Sequence, residues 1–175
     1  MAIRWNVEGR VTQISLNHMR MKKIAIGSDH AGFEGKERAR EFLATLGVEV
    51  LDKGTGGAES VDYPDFGAAV GRSVAAGEAD CGVLMCGSGI GISIAANKVA
   101  GVRAALCWNE ETARLARQHN DANILCIGAR LIEPELAARM IRAFIETDFD
   151  GGRHQQRVDK ISRLDEERAA GRPME

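Results

Sequence analysis

The chain has 175 residues, a formal net charge of −2, 45% hydrophobic residues and only 5% aromatic ones. That length suits one domain with a substantial core, which must be aliphatic and built from Ala, Val, Ile and Leu. The near-neutral charge excludes bulk attraction to nucleic acid or to an anionic membrane, so any anion must be held by a local site.

Residues 1–20 mix polar and apolar side chains without the compact apolar run of a secretory signal. They are expected to be an extension outside the functional unit, with a short strand near 10–16 as the competing reading. Residues 21–175 are expected to form a single domain. From Met21-Lys22-Lys23 onward, apolar runs at 23–28, 48–52, 82–86, 103–108 and 124–128 alternate with helical periodicity at 33–46, 65–76, 90–99, 110–118 and 134–145. Gly47 and Gly77 stand where helices end, and Pro134 suits a first helical turn. This alternation predicts an α/β fold, a Rossmann-like three-layer α/β/α sandwich on a five-stranded parallel sheet. A highly charged amphipathic segment, 155–170, follows the sheet.

The four cysteines, Cys81, Cys86, Cys107 and Cys126, lie in or at the ends of apolar runs, without CxxC spacing or nearby histidine clusters. Reduced thiols in a cytoplasmic protein are expected, rather than disulfides or a metal site. No apolar run approaches the ~20 residues of a membrane span.

In open parallel sheets, ligands sit beyond the carboxyl ends of the strands, where the strand order reverses. Ser28-Asp29-His30 follows the first of the five strands, and Cys86-Gly87-Ser88-Gly89-Ile90-Gly91 follows the third. A cysteine entering a glycine turn and a helix start meets converging backbone N–H groups, which favour both a thiolate and a bound anion. Such a thiolate suits chemistry that takes a proton from carbon and stabilises the oxyanion left behind. The blander readings are a buried cysteine, an Asp29 helix cap and a loop histidine at His30. The glycine pattern is also an incomplete dinucleotide fingerprint, with Ile92 where a further glycine belongs and Glu110 and Glu111 about twenty residues on. A nucleotide-binding module and a thiol hydrolase acylated on Cys86 are therefore the rivals from other classes.

His119-Asn120-Asp121 precedes the fifth strand, at the amino end of the sheet, whose two ends are ~17 Å apart for five-residue strands. Either His119 is unrelated to Cys86 and caps its helix, or the site is built across a subunit interface. Arg153 and Arg157 follow Gly151-Gly152 at i, i+4 spacing, which reads as a solvated basic face or as two guanidinium forks for a phosphate.

The stretches Gly27-Ser28-Asp29-His30-Ala31-Gly32-Phe33, Asp52-Lys53-Gly54-Thr55, Asp62-Tyr63-Pro64, the run from Cys86 to Lys98, Arg117-Gln118-His119-Asn120-Asp121-Ala122-Asn123 and Gly151-Gly152-Arg153-His154-Gln155-Gln156-Arg157 occur in that order. Through them the chain resembles the ribose-5-phosphate isomerase B family, which includes allose-6-phosphate and galactose-6-phosphate isomerases. The resemblance implies an aldose-ketose isomerase of ribose 5-phosphate, or of a related sugar phosphate such as erythrulose 4-phosphate, working without metal or redox cofactor. It implies Cys86 as the base at C2, and the N–H groups of Gly87, Gly89, Ile90 and Gly91, with Ser88, as the enediolate cradle. His119 would open the furanose ring and Asp29 would move protons between O1 and O2. His30, Arg153 and Arg157 would hold the phosphate, with Tyr63, Asn120 and Arg130 lining the pocket. Some members carry a carboxylate base four residues after the cysteine position; here that residue is Ile90, which leaves the cysteine route. The family's sites form between two subunits, so a homodimer with shared sites is implied, with pairing of dimers into a tetramer left open.

Overall fold

A computed structural model describes residues 2–5, 11–14 and 21–171. β1 (Ala2–Trp5) and β2 (Val11–Ile14) pair antiparallel as a separate two-stranded sheet. β2 falls inside the strand considered over 10–16; the rest of 1–20, and 172–175, lie outside the described residues. The main sheet holds β3 (Lys23–Ser28), β4 (Glu49–Asp52), β5 (Cys81–Cys86), β6 (Ala104–Leu106) and β7 (Ile124–Gly128). All are parallel, in the order β4-β3-β5-β7-β6. The helices are α1 (Phe33–Thr45), α2 (Tyr63–Ala75), α3 (Ile90–Ala96), α4 (Glu110–Asn120), α5 (Pro134–Glu146) and α6 (Gln155–Ala169). The expected five-stranded parallel α/β architecture is thus observed. Among the described residues no helix is long and apolar enough to cross a membrane.

The central strand shows why the sheet has two covers. Every residue of β5 is buried, and its side chains alternate between faces as the strand period requires. Cys81, Val83 and Met85 join Leu43 of α1, Ala113 and Ala116 of α4, and Met140, Ile141 and Phe144 of α5. Leu84 and Cys86 face the other way, onto Val70 of α2 and Ile92 and Ala96 of α3. Gly47 and Gly77 have φ of 71° and 72°, the left-handed conformation expected just after a helix.

Element boundaries differ from the sequence reading where side chains capture the backbone. β6 is shorter than 103–108 because the Arg103 N–H donates to the Asn123 side chain at 2.8 Å. α3 stops at Ala96 rather than 99, where the Asn97 amide bridges the carbonyls of Ser93 and Ala104 at 3.0 and 2.8 Å. α2 starts at Tyr63, two residues early, with Pro64 in its first turn.

Chain order reverses between β3 and β5, which lie side by side with Ser28 opposite Met85. A buried cation stiffens this edge of the sheet. Lys36 on α1 is 3% exposed, and its Nζ reaches Asp52 at 2.5 Å and Glu37 at 2.8 Å. Asp52 also accepts the Gly54 N–H at 2.9 Å, and the Thr55 N–H donates to Ser28 O at 3.0 Å. The loop after β4 is thereby fastened to the end of β3.

Candidate active site

The carboxyl ends of β3 and β5 carry the first group of predicted residues. After Ser28 the chain makes a 3-10 turn over His30–Gly32 that crosses directly above β5: a Cβ on Gly32 would lie 2.5 Å from the Met85 carbonyl oxygen. Only a glycine permits that approach. Asp29 is buried and its Oδ1 accepts the Gly32 N–H at 3.0 Å, so it does cap this turn. The His30 Nδ1 is held against the Val61 backbone, 3.2 Å from its nitrogen and 3.3 Å from its carbonyl oxygen.

Cys86 closes β5 at 4% exposure, and its Sγ accepts the Gly89 N–H at 3.1 Å. Gly89 has a φ of 77°, and a Cβ there would stand 2.9 Å from the Gly128 N. The turn is tied to the end of β7 by Ala129 N–H to Cys86 O (2.9 Å) and Arg130 N–H to Gly87 O (3.1 Å). These bonds lay the Arg130 side chain over Gly87, where a Cβ would be 3.3 Å from a guanidinium nitrogen. On the other flank, the Tyr63 ring lies where a Cβ of Gly91 would sit, 2.5 Å from Cζ. Two of the cradle's donors are engaged within the turn itself: Gly89 N–H on Cys86, and Ile90 N–H on the Ser88 Oγ at 3.3 Å.

Burial acts on the other three thiols. It pushes Cys81 up to about 12 and Cys107 up to about 11, and holds Cys126 well above the ordinary thiol value. None of these three supplies a thiolate near neutrality. The acids required by the nucleotide reading are committed elsewhere, Glu110 to Arg139 and Glu111 to Arg114, each at 2.7 Å.

A cavity of about 440 Å³ opens beside this group, lined by His30, Arg38, Met85, Arg130 and Ile141 among others. It lies between α1 and α5, on the face of the sheet opposite Cys86, so its size does not make it the reaction centre.

The second group stands at the opposite end of the sheet. α4 ends with His119 and Asn120, and Asp121 follows with a φ of 45°, clamped by Arg117 and Arg103 at 2.9 Å each. β7 then runs from Ile124 to Gly128, which pairs with Cys86, a rise of about 13 Å. His119 is therefore not brought to Cys86 within this chain. It meets His154 instead: the rings stack at 4.3 Å and 3°. Nitrogen and oxygen atoms of His119, Asp150 and His154 lie within 4.8 Å of one another.

Arg153 and Arg157 belong to this second group but do not share a helix. Gly151 and Gly152, at φ of 62° and 56°, set up a 3-10 turn over Gly152–His154, so Arg153 precedes α6 while Arg157 lies within it. Both are exposed, and among the described residues neither is ion-paired. The sequence by itself gives no role to His154 or Asp150. The only signal for them was their adjacency to the two arginines.

Ribose-5-phosphate isomerase B of Escherichia coli K12 is 49% identical over 148 residues, covering 85% of this chain and 99% of that protein. A putative sugar phosphate isomerase of Bacillus subtilis is 46% identical over 145 residues, covering 82% and 97%. The solved structure of Clostridium thermocellum ribose-5-phosphate isomerase B matches with a TM-score of 0.82 at 51% identity, covering 83% of this chain and 99% of that one. The ribose 5-phosphate isomerase structure from Thermotoga maritima gives a TM-score of 0.79 at 54% identity, covering 81% and 97%. The profile described as Ribose/Galactose Isomerase matches residues 24–161, and with relatives this similar over most of its length the chain belongs to that family.

Proposed function

We propose that the protein is a cytoplasmic enzyme that interconverts ribose 5-phosphate and ribulose 5-phosphate through an enediolate. The observation that carries this reading is the Cys86 turn, where a sulfur holding a backbone N–H sits at the switch point between β3 and β5. Asp29, His30, Tyr63 and Arg130 stand around the same strand ends.

The thiolate of Cys86 takes the proton from C2 of the open-chain aldose, and the electron pair spreads onto O1 as an enediolate. Asp29 carries a proton from O2 to O1, and the Cys86 thiol returns its proton to C1, leaving the ketose. The charge developing on the oxygens meets the N–H groups of the turn that Cys86 and Ser88 do not engage, those of Gly87 and Gly91, together with the Ser88 hydroxyl. A preorganised donor of this kind contributes about 3 kcal/mol, and positioned acid–base groups roughly 10²–10⁴-fold. His119 exchanges the proton that opens the furanose ring. Arg153, Arg157 and His30 hold the phosphate, with Asn120 beside them, so binding energy remote from C1 and C2 orients the reacting carbons.

The two groups of residues are parts of one site only if a second copy brings His119, Asn120, Arg153 and Arg157 to the Cys86 end of the first. Large apolar side chains stand exposed beside the cysteine turn, Ile90 at 53%, Ile94 at 55% and Trp108 at 62%. They supply the apolar surface such a contact needs. The protein is accordingly a homodimer with two shared sites.

Purified protein assayed on ribose 5-phosphate, allose 6-phosphate and erythrulose 4-phosphate tests the reading. Ribose 5-phosphate is expected to give the highest kcat/KM; preference for another of the three would reassign the substrate within the same chemistry. No turnover of any of them, with thermal stabilisation by nucleotides, would overturn it.

A further inference from the structure

His154 is the one buried side chain in the second group, at 9% exposure, between an exposed arginine and a half-buried histidine. Three features hold it there. The Asp150 N–H donates to Gln118 O at 3.0 Å, fastening the loop before α6 to the last turn of α4. The left-handed glycines 151 and 152 then turn the chain back, and the His154 N–H closes the turn on Gly151 O at 3.0 Å. The ring comes to rest flat on His119.

Its second contact is polar. The Arg153 Nε–H donates to the His154 Nε2 at 3.4 Å, which requires that nitrogen to be unprotonated. Burial, together with His119, Arg153 and Arg157, lowers the His154 pKa, and the nearby Asp150 only partly opposes this. The neutral ring is thus the form that can both accept from Arg153 and lie against His119 without repulsion. The same contacts argue against a metal ion among His119, Asp150 and His154. The Nε2 lone pair faces Arg153, and two parallel rings cannot both aim in-plane lone pairs at one ion.

We propose that His154 is a positioning residue that joins the phosphate-side Arg153 and the imidazole of His119 into one rigid unit. Arg153 is oriented through the Nε2 acceptor, and His119 is held in plane by the stack. The distance between the phosphate and the ring oxygen of the substrate is thereby matched by a fixed distance between guanidinium and imidazole. This rests on the reading in which Arg153 binds phosphate and His119 opens the ring.

Two substitutions separate the contacts. Gln in H154Q places an oxygen near Nε2 but offers no ring; Phe in H154F keeps the ring and removes the acceptor. Two readouts are used on the intact protein. One is competitive inhibition by inorganic phosphate, which reports Arg153. The other is turnover of ribose 5-phosphate divided by solvent-deuterium exchange into C1 of ribulose 5-phosphate, which needs the enediolate but no ring opening.

H154F is expected to weaken phosphate inhibition about ten-fold, the scale of one hydrogen bond to a charged group, with the ratio unchanged. H154Q is expected to leave phosphate inhibition within about two-fold and to lower the ratio. The proposal is overturned if both variants shift both readouts alike, or if neither shifts either. His119→Asn serves as the reference. If it leaves the ratio unchanged, the ring-opening role of His119 has failed rather than the positioning of Arg153, which the phosphate measurement decides separately.

Discussion

Cys86 is buried, as a packing cysteine would be, and yet its sulfur is not enclosed by hydrocarbon alone. Val70 and Ile92 belong to the same core cluster, while the Gly89 N–H points at the sulfur from the turn. An N–H aimed at sulfur serves a thiolate better than a thiol, and a mere space-filler would not need it. Replacing Cys86 by Ala removes the proposed base and little volume. It is expected to abolish isomerisation and C1 deuterium exchange while leaving phosphate binding and the thermal midpoint nearly unchanged. Full activity in that variant would remove Cys86 from the mechanism. His154 provides a pH test at the same scale. Its folded pKa lies below the ordinary 6.5, so between the two values the unfolded chain binds more protons. The stability it contributes is present above about pH 6.5 and is lost as pH falls toward the lowered folded value. Urea midpoints at pH 7.5 and 5.5 should fall further in the wild type than in H154F; equal losses would deny the shift.

At the scale of elements, the candidate site residues are held by features that have nothing to do with substrate. α4 begins with a capping box in which the Asn109 side chain accepts the Thr112 N–H at 2.8 Å, and it ends at Asp121 under two arginines. Asn109→Ala is expected to cost about 1 kcal/mol of stability, read from urea unfolding. α5 is anchored by Phe144, which is fully buried, with the Arg117 guanidinium 5.6 Å from its ring. Phe144→Ala is expected to destabilise by about 3–5 kcal/mol through the cavity it leaves. The glycine turns were legible because few side chains tolerate such backbone. Why they are glycines was not: Gly32 lies on the Met85 carbonyl, and Gly91 under the Tyr63 ring. The helical spacing of Arg153 and Arg157 misled for a related reason. Two consecutive glycines of positive φ put Arg153 in a 3-10 turn ahead of α6, and periodicity carries no sign of that.

The whole molecule places the two groups of candidate site residues at opposite ends of a parallel sheet, and the proposed function makes them halves of a site shared between two copies. Mixing Cys86→Ala with His119→Ala subunits should restore part of the activity, since each mixed dimer retains one site with both residues intact. Absence of rescue in verified mixed dimers would place the site within one chain. Light scattering supplies the independent check, with a mass of two chains expected and a monomer contradicting it.

Some of this was determined by the sequence alone: alternating apolar runs and helical periods dictate a parallel sheet with two covers, and chain order dictates which loops lie at which end. Local chemistry likewise placed a thiol in a glycine turn beside an Asp-His pair. Which turn crosses β5, where Arg130 and Tyr63 lie, and that His154 joins Arg153 to His119 were decided only by the tertiary structure. Those are contacts between residues far apart in the chain or turned by left-handed glycines, set by packing distances that no periodicity encodes.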